Sequence, residues 1–249
     1  MTATPPPTTI RPGSAAERFL TDEAALELLA RSASPARPEL SRRGYRAAKR
    51  TLDIVAAGGA LAVLALPGLV LCAAILARSP GASPIYAQHR VGRVRPDGTF
   101  RTFRMLKFRS MVPDAERLLP ALQEANEATG PLFKMREDPR VIPGLGTVIR
   151  RLSIDELPQL VNVLMGDMSL IGPRPALPRE VVQYDERAHG RLAVKPGCGG
   201  PWQAFGRSDV GFEEMVELDL AYVERRGLAE DLRLTLETLR AVLSREGAA

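Results

Sequence analysis

The chain has 249 residues, 25% of them charged and 45% hydrophobic, and carries a net charge of +5. That balance, with a sequence pI of about 9.6, favours anionic lipid or phosphorylated ligands. An aromatic content of only 5%, with no interleaved aromatic and basic platform and no zinc spacing, excludes nucleic acid as the expected partner.

Residues 1–44 read as an N-terminal extension, largely disordered, with one amphipathic helix in residues 15–31, where Leu20, Ala24, Leu28 and Leu29 fall at helical spacing. Glu17, Asp22, Glu23 and Glu27 interrupt the apolar core that a secretory signal needs. No internal repeat divides residues 45–249, which read as one domain.

That domain opens with an uncharged apolar run, residues 54–77, centred on Pro67. About 24 helical residues reach roughly 36 Å, enough for a hydrocarbon core of about 30 Å. Pro67 removes a backbone donor, which predicts a kink or break near the middle. Arg42, Arg43, Arg46, Lys49 and Arg50 precede the run, and Arg78, His89, Arg90, Arg93 and Arg95 come after it. Positive charge at both ends predicts that both stay on the inner side. The expected element is therefore a proline-broken, re-entrant membrane helix, the alternative being an ordinary kinked crossing helix.

Residues 84–91 and 99–108 predict two strands joined through Pro96-Asp97-Gly98, which has the turn chemistry of a β-hairpin. Helices are predicted at residues 114–128, 155–165, 178–188, 212–225 and 231–245. In the last, Leu232, Leu236, Leu239 and Leu243 share one face, which either packs on the core, the favoured reading, or lies along the lipid interface. The fold class is α+β: a mainly helical, monotopic membrane protein with a small hairpin. Cys72 and Cys198 form neither a disulfide framework nor a metal pattern, which points to a reducing compartment.

Chemistry concentrates in Arg150-Arg151-Leu152-Ser153-Ile154-Asp155-Glu156-Leu157-Pro158. Ser153 and Glu156 match a capping box, but that register sets Pro158 inside the helix, where its missing N–H costs a hydrogen bond. The other reading is functional: a carboxylate at a helix start can serve as nucleophile or metal ligand beside N–H groups suited to phosphate. Lys107 and Arg109 alternate at a strand end and share one face, able to meet a diphosphate together. Arg174 is braced between Pro173 and Pro175. Lys195-Pro196-Gly197-Cys198-Gly199-Gly200-Pro201-Trp202-Gln203 and Gly206-Arg207-Ser208 suggest a close-packed loop over a ligand.

Taken with Lys49-Arg50-Thr51-Leu52-Asp53 and Gln88-His89-Arg90-Val91-Gly92, these stretches resemble the bacterial sugar transferases, the monotopic phosphoglycosyl transferases acting on polyprenyl phosphate. The ending through Trp202-Gln203 and Phe212-Glu213-Glu214-Met215 is similar to the exopolysaccharide-type hexose transferases. The resemblance implies transfer of a sugar 1-phosphate from a UDP-sugar to undecaprenyl phosphate, with Mg²⁺ required. It puts Asp155 in the nucleophile position, Glu156 in that of the Mg²⁺-binding acid, and Arg174, Lys107, Arg109 and Arg90 in phosphate contact. It also implies membrane lipid as a partner and a bacterial inner membrane location with the catalytic domain facing the cytoplasm. A homo-oligomer along the membrane surface is compatible with it. The chain departs from the family in having Leu66 where a serine often precedes the membrane proline, and Gly199 where a threonine is common. The rival readings are a non-catalytic membrane adaptor and a membrane-bound UDP-sugar hydrolase.

Overall fold

A computed structural model describes residues 20–135, 137–205 and 211–244. Its longest element is the helix α2 (Arg43–Arg78), the only helix among the described residues long and apolar enough to cross a membrane. The helix is continuous through Pro67, so the expected break is not an interruption of helical structure. The carbonyl that Pro67 deprives of a donor belongs to Val63, which is 77% exposed on the outer face. There the missing bond disturbs no internal packing.

One face of α2 is covered along its length. Ala57 packs with Phe103, Met105, Val163 and Met168, and Ile75 with Phe108 and Ile149. The opposite face leaves Leu52, Val55, Val63, Leu66, Leu69 and Val70 exposed. A mostly apolar helix so arranged needs a second apolar environment, which water does not supply.

Against the covered face lies the predicted hairpin, β1 (Ile85–Val91) and β2 (Thr102–Phe108), antiparallel with Ile85 opposite Phe108 and Val91 opposite Thr102. Gly98 takes φ +85°, and Asp97 accepts from Thr99 N at 2.9 Å. Helix α3 (Leu145–Arg151) leads to a 3-10 turn at Ile154–Glu156 and then to α4 (Gln159–Met165). Asn162, fully buried, stitches α4 to β2: its Oδ1 accepts from Leu106 N (2.9 Å) and its Nδ2 donates to the Arg104 carbonyl (2.8 Å).

A second sheet went unpredicted. β3 (Ser169–Ile171) and β4 (Gly197–Gly199) pair in parallel. A Cβ at Gly197 would stand 2.1 Å from Gly172 N, and one at Gly200 would stand 2.1 Å from the Gly172 carbonyl oxygen. Much of the glycine-rich stretch therefore serves backbone contact rather than a ligand loop. Residues 206–208 of that expected loop lie outside the described residues.

Other boundaries moved for local reasons. The helix expected at residues 114–128 is instead two 3-10 turns, Ala115–Leu118 and Pro120–Ala125, because Pro120 cannot donate within a continuous α-helix. The helix expected at 178–188 divides into α5 (Pro178–Val181) and α6 (Glu186–His189), the latter capped by Asp185 accepting from Ala188 N. Pro201–Phe205 forms α7, Phe212–Arg225 forms α8 as predicted, and α9 runs from Leu228 to Ser244. The favoured core packing of that α9 face is corrected: Leu232, Leu236 and Leu239 are exposed and Leu234 is buried, while the Leu243 side chain lies outside those described. The helix expected within residues 15–31 is α1 (Asp22–Ala30), capped by Thr21, which buries Ala25 and Leu29 among Val91, Val94 and Phe100; residues 1–19 of the expected extension lie outside the described residues.

Candidate active site

The turn carrying the acidic pair is not a capping box. Ser153 sits at φ +55° and makes no side-chain cap, while Pro158 immediately precedes α4 and so costs it no hydrogen bond. The turn holds both carboxylates against Lys107 near the end of β2. Lys107 Nζ donates to Glu156 Oε1 at 2.8 Å and lies 3.6 Å from Asp155 Oδ2. Ile154 and Leu157 anchor the turn beside Leu71, Cys72 and Ile75 of α2, so the pair lies against the second half of the apolar helix.

The two acids differ in environment. Asp155 is buried, and desolvation with the neighbouring charge of Glu156 holds its carboxyl above the ordinary value of 3.8, against the pull of Lys107. Glu156 also feels burial, but the charge and hydrogen bond of Lys107, joined by Arg174 and Arg90, outweigh it and leave its pKa lowered. A poorly solvated carboxylate beside a firmly ionised one suits division of labour between a nucleophile and an electrostatic or metal-binding partner.

Arginines complete the cluster. Arg90 is buried, donates to the Pro175 carbonyl (2.8 Å) and Gln88 Oε1 (2.7 Å), and leaves its Nε without a partner among the described residues. Burial and the adjacent Arg174 push its pKa down to about 10. Arg174 Nη1 donates to Glu180 Oε1 (3.3 Å) and Oε2 (3.1 Å) and stacks 5.8 Å from the Trp202 ring. Glu180 is 1% exposed and also accepts from Leu177 N.

The structure thus gathers Asp155, Glu156, Lys107, Arg90 and Arg174, but not Arg109. The strand ends at Phe108, so the alternation that would have put Arg109 beside Lys107 lapses. Arg109 Nε donates instead to the Ser83 carbonyl (2.7 Å), and its guanidinium lies over Tyr86. Glu180 and Asn162 were not read from the sequence. Glu180 carried a signal: a glutamate two residues after Pro178, placed to bond back to Leu177. Asn162 carried none.

Among the described residues no three His, Cys, Asp or Glu side chains gather as a cation cage. Mg²⁺ does not require one, because it keeps several waters and uses one or two carboxylates plus substrate phosphates. The Asp155 and Glu156 donor set, with the Glu156 side chain 39% exposed, fits that mode.

A family model described as bacterial sugar transferase matches residues 44–245. The chain is 41% identical over 215 residues to the UDP-galactose-lipid carrier transferase of Erwinia amylovora, covering 84% of this chain and 43% of that protein. It is 39% identical over 214 residues to the undecaprenyl-phosphate galactose phosphotransferase of Salmonella typhimurium (strain LT2), covering 84% and 43%. With the exopolysaccharide production protein ExoY of Sinorhizobium fredii (strain NBRC 101917 / NGR234) it shares 37% over 205 residues, covering 80% and 87%. The chain therefore spans less than half the length of the first two relatives and most of the third.

Proposed function

The chain belongs to the bacterial sugar transferase family, and from that premise we propose that it transfers a hexose 1-phosphate from a UDP-sugar to undecaprenyl phosphate at the cytoplasmic face of a bacterial inner membrane. The observation that carries the reading is the buried Asp155 beside Glu156, with Lys107 bridging the two carboxylates and Arg90 and Arg174 alongside. The names of the relatives support a lipid-linked acceptor and a UDP-hexose donor.

In the first half-reaction an Asp155 oxygen attacks the sugar-bearing phosphorus. A phosphorus–oxygen bond forms as the bond to the bridging oxygen breaks, and its electron pair leaves on UMP. In the second half-reaction an oxygen of the polyprenyl phosphate attacks the same phosphorus and restores the aspartate, leaving a lipid diphosphosugar. Lys107, Arg90 and Arg174 hold the phosphates and balance the charge that develops on them. Glu156 would hold Mg²⁺, which when bound neutralises diphosphate charge. The apolar face of α2 lies in the cytoplasmic leaflet with both ends on the same side, a placement supported by its basic flanks and by the catalytic domain packed along it.

Purified chain given labelled UDP-hexoses, undecaprenyl phosphate and Mg²⁺ is expected to form labelled lipid and UMP in equal amounts. UMP with free sugar phosphate in the absence of lipid would make the chain a hydrolase. No product from any donor would leave the adaptor reading.

A further inference from the structure

A cavity of about 350 Å³ opens near the opposite end of β2 from Lys107. Arg101, just before β2, and Lys107 are six residue steps apart along extended chain, about 20 Å, too far for one phosphate to touch both. The cavity walls carry Arg93, Arg95, Arg101 and Lys195 against a single acid, Asp167. Arg101 is paired with Asp167 at 2.7 Å, and Arg95 donates to Thr99 Oγ1 (3.2 Å) and the Phe100 carbonyl (3.1 Å). Arg93 and Lys195 have no hydrogen bond or ion pair with any described residue.

These two cations sit in unfavourable company. Burial lowers the pKa of Lys195, and Arg50, Arg93 and Arg101 lower it further while Asp53 opposes them. Arg93 is likewise disfavoured by burial and by Arg46 and Arg101. Gathering like charges in a half-buried recess costs folding free energy that a bound anion would offset. Two unpartnered cations match the two negative charges of a phosphate monoester.

Location identifies the source of that phosphate. Arg50 Nη2 and Lys195 Nζ flank Gly166, lying 3.4 and 3.5 Å from where its Cβ would stand. Arg50 is one helical turn ahead of Ile54, where the uncharged run of α2 begins, so the Lys195 wall of the cavity stands beside the polar end of the helix read as entering lipid. The wall also includes Pro38 and Leu40, which precede the family match at residue 44. That segment is held in place where Glu39 N donates to the Ala193 carbonyl (2.8 Å).

We propose that this cavity is a second phosphate site, separate from Asp155, in which Arg93 and Lys195 bind the phosphate monoester headgroup of a membrane lipid. It rests on the reading that α2 enters lipid. The test tracks acetylation of Lys195 by mass spectrometry in the full purified chain, with Lys107 as a reporter of the catalytic centre. Dihexanoyl phosphatidic acid at about ten times its dissociation constant is expected to slow Lys195 acetylation about tenfold and to leave Lys107 unchanged. Dihexanoyl phosphatidylcholine is expected to do neither, and Arg93→Gln is expected to abolish the protection. Equal protection by inorganic phosphate would overturn the lipid source. Protection of both lysines by UDP-glucose would make the cavity part of the donor site, and no protection by any of these probes would overturn the proposal. Flotation with anionic vesicles keeps the two readings apart. A chain that floats with Lys195 unprotected sinks the cavity alone, and one that does not float removes the membrane reading and the lipid source with it.

Discussion

Burial pushes both acids towards the neutral form and Lys107 opposes it: its ammonium, 2.8 Å from Glu156 and 3.6 Å from Asp155, helps bring Glu156 below its ordinary value but leaves Asp155 above its own. In the proposed mechanism attack requires ionised Asp155, so adduct formation is expected to fall as pH drops through its raised pKa. Lys107→Met removes the opposing cation and lifts that pKa further, which moves the acid limb of the rate profile to higher pH. A profile of labelled-adduct formation checks this, and an unmoved limb would confine Lys107 to phosphate binding. Asp155→Asn is expected to abolish the adduct and lower turnover at least about 10⁴-fold with the fold retained. Glu156→Gln should weaken turnover and Mg²⁺ dependence together while an adduct still forms, and an adduct formed at the normal rate by Asp155→Asn would refute the assignment. The acidic pair, Lys107 and Arg174 were legible because unusual residues stand close together in sequence. Arg109 misled because strand alternation was extended one residue too far, and Asn162 was silent because its bonds span 56 and 58 residues.

At the scale of elements, legibility tracked locality. The hairpin and α8 were readable from turn chemistry and periodicity, whereas the parallel pair β3 and β4 depends on a contact between segments nearly thirty residues apart. Its glycines are steric requirements. Gly197→Ala would drive a methyl group into Gly172 N, and a loss of about 3 kcal/mol is expected in denaturant unfolding. A much smaller loss would mean that the strands separate without consequence. The N-terminal segment is joined to the domain by a different device. His189, buried beside Phe100 and Tyr184, bonds Ser34 Oγ at 3.2 Å. Burial lowers its pKa to about 4, against the opposing charge of Asp185. The folded state therefore prefers neutral imidazole. That contribution is intact above the unfolded value near 6.5 and is lost as pH falls towards 4, about 2 kcal/mol between pH 7 and pH 5. Thermal melts at the two pH values should show wild type losing more stability than His189→Gln, and equal losses would place the acid sensitivity elsewhere.

For the whole molecule, the proposed membrane placement rests on the relation between α2 and the domain. The domain touches α2 from Asp53, which accepts from Ser169 Oγ and Leu170 N, to Ile75, a span of about 33 Å along the helix. At the N-terminal end, Tyr45 and Lys49 donate to Asp231 Oδ2 of α9, and Tyr222 of α8 donates to its Oδ1. A helix clamped to a polar, charged domain at both ends cannot carry one end across a bilayer without taking that domain into lipid. In the proposed placement, packing of the domain along α2 holds both ends on one side without a break at Pro67. With Cys72 and Cys198 replaced by Ala, Leu40→Cys and Arg240→Cys are both expected to resist an impermeant thiol reagent in intact cells and to react after lysis. Labelling of the residue-40 site in intact cells would establish a crossing helix instead. Because α2 already runs unbroken through Pro67, Pro67→Leu is expected to leave both sites shielded. If that variant exposed the residue-40 site, control of topology would return to the proline.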